Sequence, residues 1–292
     1  MKDNDSLFLE SIYTNILSEA GVLGISIDEF FKNIEGKTFI FFDTETTGIK
    51  AGESHNQITQ LAAIAINLES GETLDSYSET FKLEQSTIDK IEDEKINPPK
   101  DPKKWGIEKT LAYNKYDSEK AKDTPSGSAN ELLEWMHKFR NSIIVAQNAQ
   151  FDLGFLNTLL KKNKLQPLKT PVMDLMKFNR IYLEPILNNL ERNGVPEAIE
   201  KLNLLKNDKG KVSFAQNKLG DAFGVGTKGA HDAIHDVEQM IGLVKNIVDF
   251  IKEHSSKINP ETAQADLGKA RKKWRDRFQN FSVRDRSFKN RK

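Results

Sequence analysis

Three short stretches of the chain concentrate residues able to do acid, base or metal chemistry. The first is FFDTETTG, Phe41 to Gly48. In an extended strand residues two apart share a face, so Asp43 and Glu45 project together about 7 Å apart along the backbone, where an apolar run ends. Two carboxylates at the mouth of a buried strand are costly unless a cation or a partner compensates them. Taken alone, the same D-x-E also reads as a strand that has ended in solvent. The second stretch, VAQNAQFDLGF, brings Asn148 and Asp152 from a buried strand to the start of a helix. There an isolated Asp152 would be an ordinary first-turn acid, favoured by the helix dipole. The third, GTKGAHDAIHDV, has Asp232 placed to cap a helix from Ala233, which leaves His231 in a glycine-rich loop. At about 100° per residue Asp236 falls beside Met240 at the edge of the apolar stripe, and His235 points away. His231 and Asp236 can therefore face the core side together.

These residues need elements to hold them. Thr38 to Phe42 reads as a strand buried on both faces. Ile58 to Asn67 and Thr73 to Lys82 read as strands joined across Ser70-Gly71, an antiparallel meander. An amphipathic helix is expected over Ser128 to Arg140, a short buried strand over Ile143 to Ala146, and a helix from Asp152 to Lys162. A strand near Pro171 to Met173 and more helix to Leu190 follow. Asn193 to Gly210 reads as connector, and Ala233 to Ile251 as a helix with a strong 3.6-residue period. Residues 84–127 are polar, lysine-rich and broken by prolines, which predicts a surface excursion. Strands first, then alternating helices and strands, predict an α/β mixed sheet flanked by helices. The expected organisation is a helical leader at 1–36, the main domain at 37–252 and a basic tail at 253–292.

Composition excludes several classes of function. The 292 residues include no cysteine, so thiolate metal sites, disulfides and cysteine nucleophiles are out. No apolar run approaches the roughly 20 residues that a bilayer span requires, and the acidic start of the chain is unlike a secretion signal, so a cytoplasmic location is expected. Lysine plus arginine and aspartate plus glutamate both number 43. The balance hides a polarity: from Lys257 onward twelve bases face four acids, net +8, leaving −8 on the rest. The tail interleaves its bases with Trp274, Phe278, Phe281 and Phe288, which suits either phosphate contact with base stacking or an amphipathic helix docked on protein.

Read together, the three stretches resemble the DEDDh branch of the DnaQ-like 3′–5′ exonucleases. D-x-E after a buried strand matches Asp43 and Glu45. N-x-x-F-D matches Asn148 to Asp152, and H-x-A-x-x-D matches His231 to Asp236. Asp174 and the Leu219 to Gly224 segment are supporting matches. The resemblance runs from about Lys37 to Ile251 and leaves out the leader and tail. Two features depart from it: Gln147 stands where the family usually has His, and the 84–127 excursion is long.

The resemblance implies an RNase H-like fold and removal of nucleotides from 3′ ends as 5′-monophosphates. Four clustered carboxylates repel strongly, roughly 4 kcal/mol for a pair 4 Å apart at an effective dielectric near 20. Oxygen ligands select hard cations, so two Mg²⁺ or Mn²⁺ ions are expected on Asp43, Glu45, Asp152 and Asp236. His231 would be the general base toward the attacking water. Thr44, Thr46, Thr47 and Asn148 would contact the terminal nucleotide. The expected substrate is DNA, single-stranded by preference, with RNA as the alternative, and the leader or tail could meet a polymerase or replication partner. Other readings fit less well: a zinc protease on His231 and His235 lacks the glutamate that H-E-x-x-H requires. An HD-type phosphohydrolase needs further helical histidines, which the contexts of His55, His137 and His254 do not supply; a non-catalytic nucleic-acid-binding module would not need all five catalytic-type residues.

Overall fold

The computed structural model describes residues 38–67, 70–99, 105–139, 142–168, 170–226, 229, 231–270 and 272–273. The helices expected within 1–36 and the aromatic residues of the tail, Trp274 onward, lie outside the described residues.

The sheet has five strands in the order β3-β2-β1-β4-β5. β1 (Thr38–Thr46) pairs antiparallel with β2 (Ile58–Asn67), from Thr38 opposite Asn67 to Glu45 opposite Gln60. β2 pairs antiparallel with β3 (Thr73–Thr80). Their turn is closed by Gly71, whose φ of 71° suits a residue with no Cβ and whose N–H donates to the Asn67 carbonyl at 2.8 Å. On its other side β1 runs parallel to β4 (Ile143–Ala146), which runs parallel to β5 (Val172–Asp174). This is the expected mixed sheet, a meander plus parallel strands. β1 runs four residues past its apolar segment, because β2 continues to supply backbone partners after β4 has ended.

Between β3 and β4 lie α1 (Gln85–Ile96), α2 (Ile107–Tyr113) and α3 (Pro125–His137). α3 starts at Pro125, ahead of the expected Ser128, because Pro125 suits a first turn and the Thr124 hydroxyl caps it by accepting from the Gly127 N–H. Among its described residues the 84–127 segment thus holds α1, α2 and the start of α3, and it buries Thr87, Ile91, Ile107, Asn114 and Pro125 while most of the other described side chains are exposed. α4 (Ala149–Lys162) connects β4 to β5. One face of the sheet packs Ile40, Phe42, Leu61, Ala63 and Ala65 against Leu132, Trp135 and Met136 of α3 and Phe155, Leu156 and Leu160 of α4. Phe39, Phe41 and Ala62, which point the other way, are also buried.

The chain divides into two compact units. The sheet unit comprises Ile34–Leu175 and Gly226–Val244; the second takes Met176–Val225 and Lys245–Lys292, so the expected 37–252 span is shared between them. The second unit is helical. A helical run begins with α5 (Leu175–Phe178), widens through a π-turn at Asn179–Leu183 and continues as α6 (Glu184–Arg192). α7 (Pro196–Leu204), α8 (Gln216–Phe223) and residues 260–270 follow. α7 occupies part of the stretch expected as connector. Pro196 opens the helix instead of breaking it, and Ala198 and Leu202 are buried beneath it. α9 (Ala233–Glu253) contributes its first half to the sheet unit and its second half to the helical one.

Candidate active site

Pairing of β1 with β4 ends at Phe41 opposite Val145, and β1 carries Asp43 and Glu45 beyond that point. The same end of the sheet receives Asp152, in the first turn of α4 after β4, and Asp174, the last residue of β5. Ligands of open α/β sheets gather at the carboxyl ends of parallel strands, where connections leave in different directions and open a crevice. The third stretch adds its residues from α9 and the loop before it.

Asp152 is 3% exposed. Its Oδ1 accepts from the Thr44 N–H at 3.1 Å and from the Thr44 hydroxyl at 2.8 Å. Burial nevertheless raises its carboxyl to about 7, with Asp174 adding to the rise and the Thr44 bonds opposing it. Glu45 is pushed up to about 8, first by burial and then by Asp236, Asp152 and Asp232, while Lys115 pulls it down. Asp43 lies well above the usual carboxylate range, through burial and then through Asp152, Glu45 and Asp236. Asp236 is raised by burial, against a hydrogen bond of 3.1 Å that its Oδ2 accepts from the His231 N–H. The four acids of the three motifs thus feel one another across a common space.

His231 sits in the left-handed region at φ 66°, a strained conformation for a residue with a Cβ. That turn aims its imidazole back over the strand, with Nδ1 4.0 Å from Glu45 Oε1. Glu45, His231 and Asp236 each present a ligand atom, all within 4.8 Å of one another. His235 points away, its Nδ1 3.5 Å from Asp232 Oδ2 and its side chain half exposed. The site fits a hard divalent cation: Asp43, Glu45, Asp152 and Asp236 offer carboxylate oxygens, and burial with neighbouring acids raises all four above the ordinary carboxylate range, a cost that a bound cation would offset.

The threonines are buried, and their hydroxyls bond within the protein. Thr44 binds Asp152; Thr46 donates to the Gly48 carbonyl at 2.7 Å; Thr47 accepts from the Gln57 N–H at 2.9 Å. Gly48 is held so close to Asn56 that a Cβ would come within 2.5 Å of its Oδ1. Asn148, at the N-cap of α4, is exposed and makes no capping bond with its side chain.

Sequence reasoning missed the residues that tie these parts together. Gln60 donates to the Asn114 carbonyl at 3.1 Å and accepts from the Ala233 N–H at 3.2 Å, and Asn114 donates to the Thr46 carbonyl at 3.0 Å. One glutamine therefore joins β2, the end of α2 and the first turn of α9. Tyr113 lays its ring on His231, centroids 4.1 Å apart. Gln60 had a signal, an amide in the midst of the buried run of β2. Tyr113 and Asn114 had none, because their polar, proline-broken tract gives no hint of contact with residue 231.

Residues 40–244 match the RNase T exonuclease family. The chain belongs to this exonuclease family. Its members are hydrolytic nucleases of the DnaQ-like type, and divalent-metal dependence and nucleic-acid binding go with membership. Among curated relatives, the PolC-type DNA polymerase III of Oceanobacillus iheyensis is 30% identical over 172 residues, 56% of this chain and 10% of that one. The PolC-type polymerase of Halalkalibacterium halodurans is 31% identical over 156 residues, 53% and 9%. The exonuclease thus spans about a tenth of the length of these relatives. Escherichia coli exonuclease I, solved with a dA16 oligonucleotide, superposes with a TM-score of 0.50 at 20% identity, covering 75% of this chain and 43% of that one. Exonuclease I of Methylocaldum szegediense gives 0.51 at 16% identity, covering 75% and 43%. These likenesses establish the mixed-sheet exonuclease fold. No helix among the described residues is long and apolar enough to cross a membrane.

Proposed function

We propose that the chain is a 3′–5′ exodeoxyribonuclease that removes nucleoside 5′-monophosphates from DNA, single-stranded by preference. The observation that carries this reading is the convergence of Asp43, Glu45, Asp152 and Asp236 with His231 at the carboxyl ends of the parallel strands. Asp43, Glu45, Asp152 and Asp236 would hold two divalent cations, Mg²⁺ or Mn²⁺. When bound, such ions activate water and stabilise the departing 3′ oxygen.

The remaining work falls to the chain's own groups. With Nδ1 toward Glu45, His231 keeps Nε2 to take the proton of the attacking water, and the Glu45 carboxylate steadies the imidazolium that forms. Asp236 fixes the left-handed turn through the His231 N–H. Thr44 positions Asp152 and keeps its first oxygen aligned. The buried Thr44, Thr46 and Thr47 segment gives the terminal nucleotide a rigid backbone wall, and the exposed amide of Asn148 supplies a hydrogen-bonding group. DNA is favoured over RNA because the relatives are named as DNA polymerases and the superposed exonuclease I carries a deoxyoligonucleotide. The same relatives motivate a polymerase or replication protein as a partner.

The test is a Mg²⁺ titration of nucleotide release from matched 5′-labelled single-stranded DNA and RNA, with 3′-phosphate-blocked controls and Asp43→Ala alongside. The expected result is a descending ladder on DNA that needs metal and Asp43. A ladder on RNA alone would reverse the substrate, and binding with no ladder would leave a non-catalytic module.

A further inference from the structure

The described part of the excursion ends its α2 region in a chain of aromatic rings that leads from solvent to the site. Trp105 is 47% exposed and Tyr113 49%. The Trp105 ring meets Tyr113 edge-on at 5.0 Å between centroids, and Tyr113 lies on His231 at 4.1 Å. Lys109 holds its ammonium 4.6 Å from the Trp105 ring centroid. Large aromatic side chains bury 150–250 Å² when covered, so leaving Trp105 half bare forgoes stabilisation that the fold itself could have taken.

The backbone that follows Trp105 is also held before any ligand arrives. The next two residues start α2, where Glu94 Oε2 accepts from the Ile107 N–H at 2.8 Å. Gly106 permits that approach, since a Cβ there would come within 2.8 Å of the same oxygen. At the other end Asn114 is tied to Thr46 and Gln60. The helix next to Trp105 is thus tied at both ends, which lowers the ordering cost of binding at the ring it carries.

We propose that Trp105 is a nucleobase-stacking platform of the exonuclease, two ring contacts out from His231, that takes an unpaired base of the strand whose 3′ end is being cut. The occupant follows from the surroundings. A base offers a flat face to the side of the indole that the Lys109 ammonium leaves open, that charge over the ring suits the phosphate next to the base, and the ring chain is continuous with the reacting centre. Stacking requires an exposed face, so the platform selects single strands over duplex. The inference rests on the nuclease reading for its substrate, and it deepens it by naming the side chain that grips the strand.

The test is fluorescence anisotropy of a 5′-fluorescein oligothymidylate on the full chain, with Ca²⁺ present to hold turnover down. A matched strand carries abasic residues near its 3′ end. Trp105→Ala is expected to weaken binding of the base-bearing strand about 5- to 150-fold, the range of one lost base-aromatic stack. Trp105→Phe should keep most of the affinity, and the abasic strand should bind the wild type and Trp105→Ala alike. Equal weakening on both strands, or none on either, overturns the platform, as does a wild type that does not discriminate between them. Nucleotide release by the wild type is scored separately. Release with an indifferent Trp105→Ala leaves the nuclease and removes the platform, whereas base-dependent binding without release does the reverse.

Discussion

Asn189 in the helical unit and Asp152 in the sheet unit are almost equally hidden from solvent, 1% and 3% exposed. Asn189 has every need met by neutral partners. Its amide donates to the Asn259 carbonyl at 3.2 Å and to the Thr262 hydroxyl at 2.7 Å, and its oxygen accepts from the Asn259 N–H and from Asn193. Asp152 receives two bonds from Thr44 at one oxygen and stands among Asp43, Glu45 and Asp174, all acids. A buried amide with matched partners contributes to holding its unit together, whereas a cluster of like charges costs stability until something of opposite charge arrives. One region is balanced, and the other carries a cost that a bound cation would offset.

The largest effect that should follow is at Asp43. Asp43→Asn is expected to lower nucleotide release at least about 10³-fold, the scale of losing a group at the reacting centre. The same change should stabilise the metal-free protein at pH 8, since one member of the repelling cluster is gone. The sign for the wild type follows from the raised carboxyls. Unfolded, these groups lose their protons near pH 4; folded, Asp152 keeps its proton to about 7 and Glu45 to about 8. Across that window the folded state binds more protons, so metal-free stability falls as pH rises from about 4 to 8. Urea titrations should record this decline, and Mg²⁺ or Mn²⁺ should reverse it at pH 8 and hardly act at pH 4. A flat profile would erase the distinction between the two regions.

Gln60→Ala comes next. It cuts the tie between β2, α2 and α9 and leaves all five catalytic-type side chains in place. Loss of such a supporting contact is expected to lower kcat about 10- to 100-fold and to raise the Mn²⁺ concentration needed for half activation by a similar factor. A change confined to KM would argue against the tie. Asn189→Ala should cost about 2 kcal/mol of stability, the price of stranded buried partners, to the same extent at pH 5 and pH 8 and with turnover per folded molecule unchanged. A pH-dependent loss would make the helical unit resemble the site.

Legibility followed how local the determining contacts are. Asp43 and Glu45 could be read from a period of two at the end of an apolar run, and β4 followed by an N-x-x-F-D turn placed Asn148 and Asp152. The mixed sheet was legible for the same reason, since each strand carries its own pattern. The left-handed turn at His231 was not, because nothing in GTKGAHD distinguishes a residue at φ 66° from an ordinary loop residue. α2 was missed because it depends on distant partners, Glu94 at its start and Thr46 beyond its end. α7 was missed because a proline that starts a helix and one that stops it are the same letter until the burial of Ala198 and Leu202 is known.

The smallest effect sharpens the comparison most, because it separates charge from burial at a single atom. Thr44→Val keeps the shape of the buried side chain and removes only the hydroxyl that donates to Asp152 Oδ1, leaving the backbone bond. That hydroxyl favours the charged carboxylate, so without it the Asp152 carboxyl should rise further above its value of about 7. At pH 5 Asp152 is protonated in the folded state of both proteins, and the variant should lose little. At pH 9 it is ionised, and the variant should be less stable by about 1 kcal/mol, one ordinary hydrogen bond. The acid limb of the rate profile should move to higher pH in the same variant, and Thr44→Ser should restore both. A loss of equal size at pH 5 and pH 9 would mean that Thr44 serves packing alone and that Asp152 gains nothing from it as a charged group.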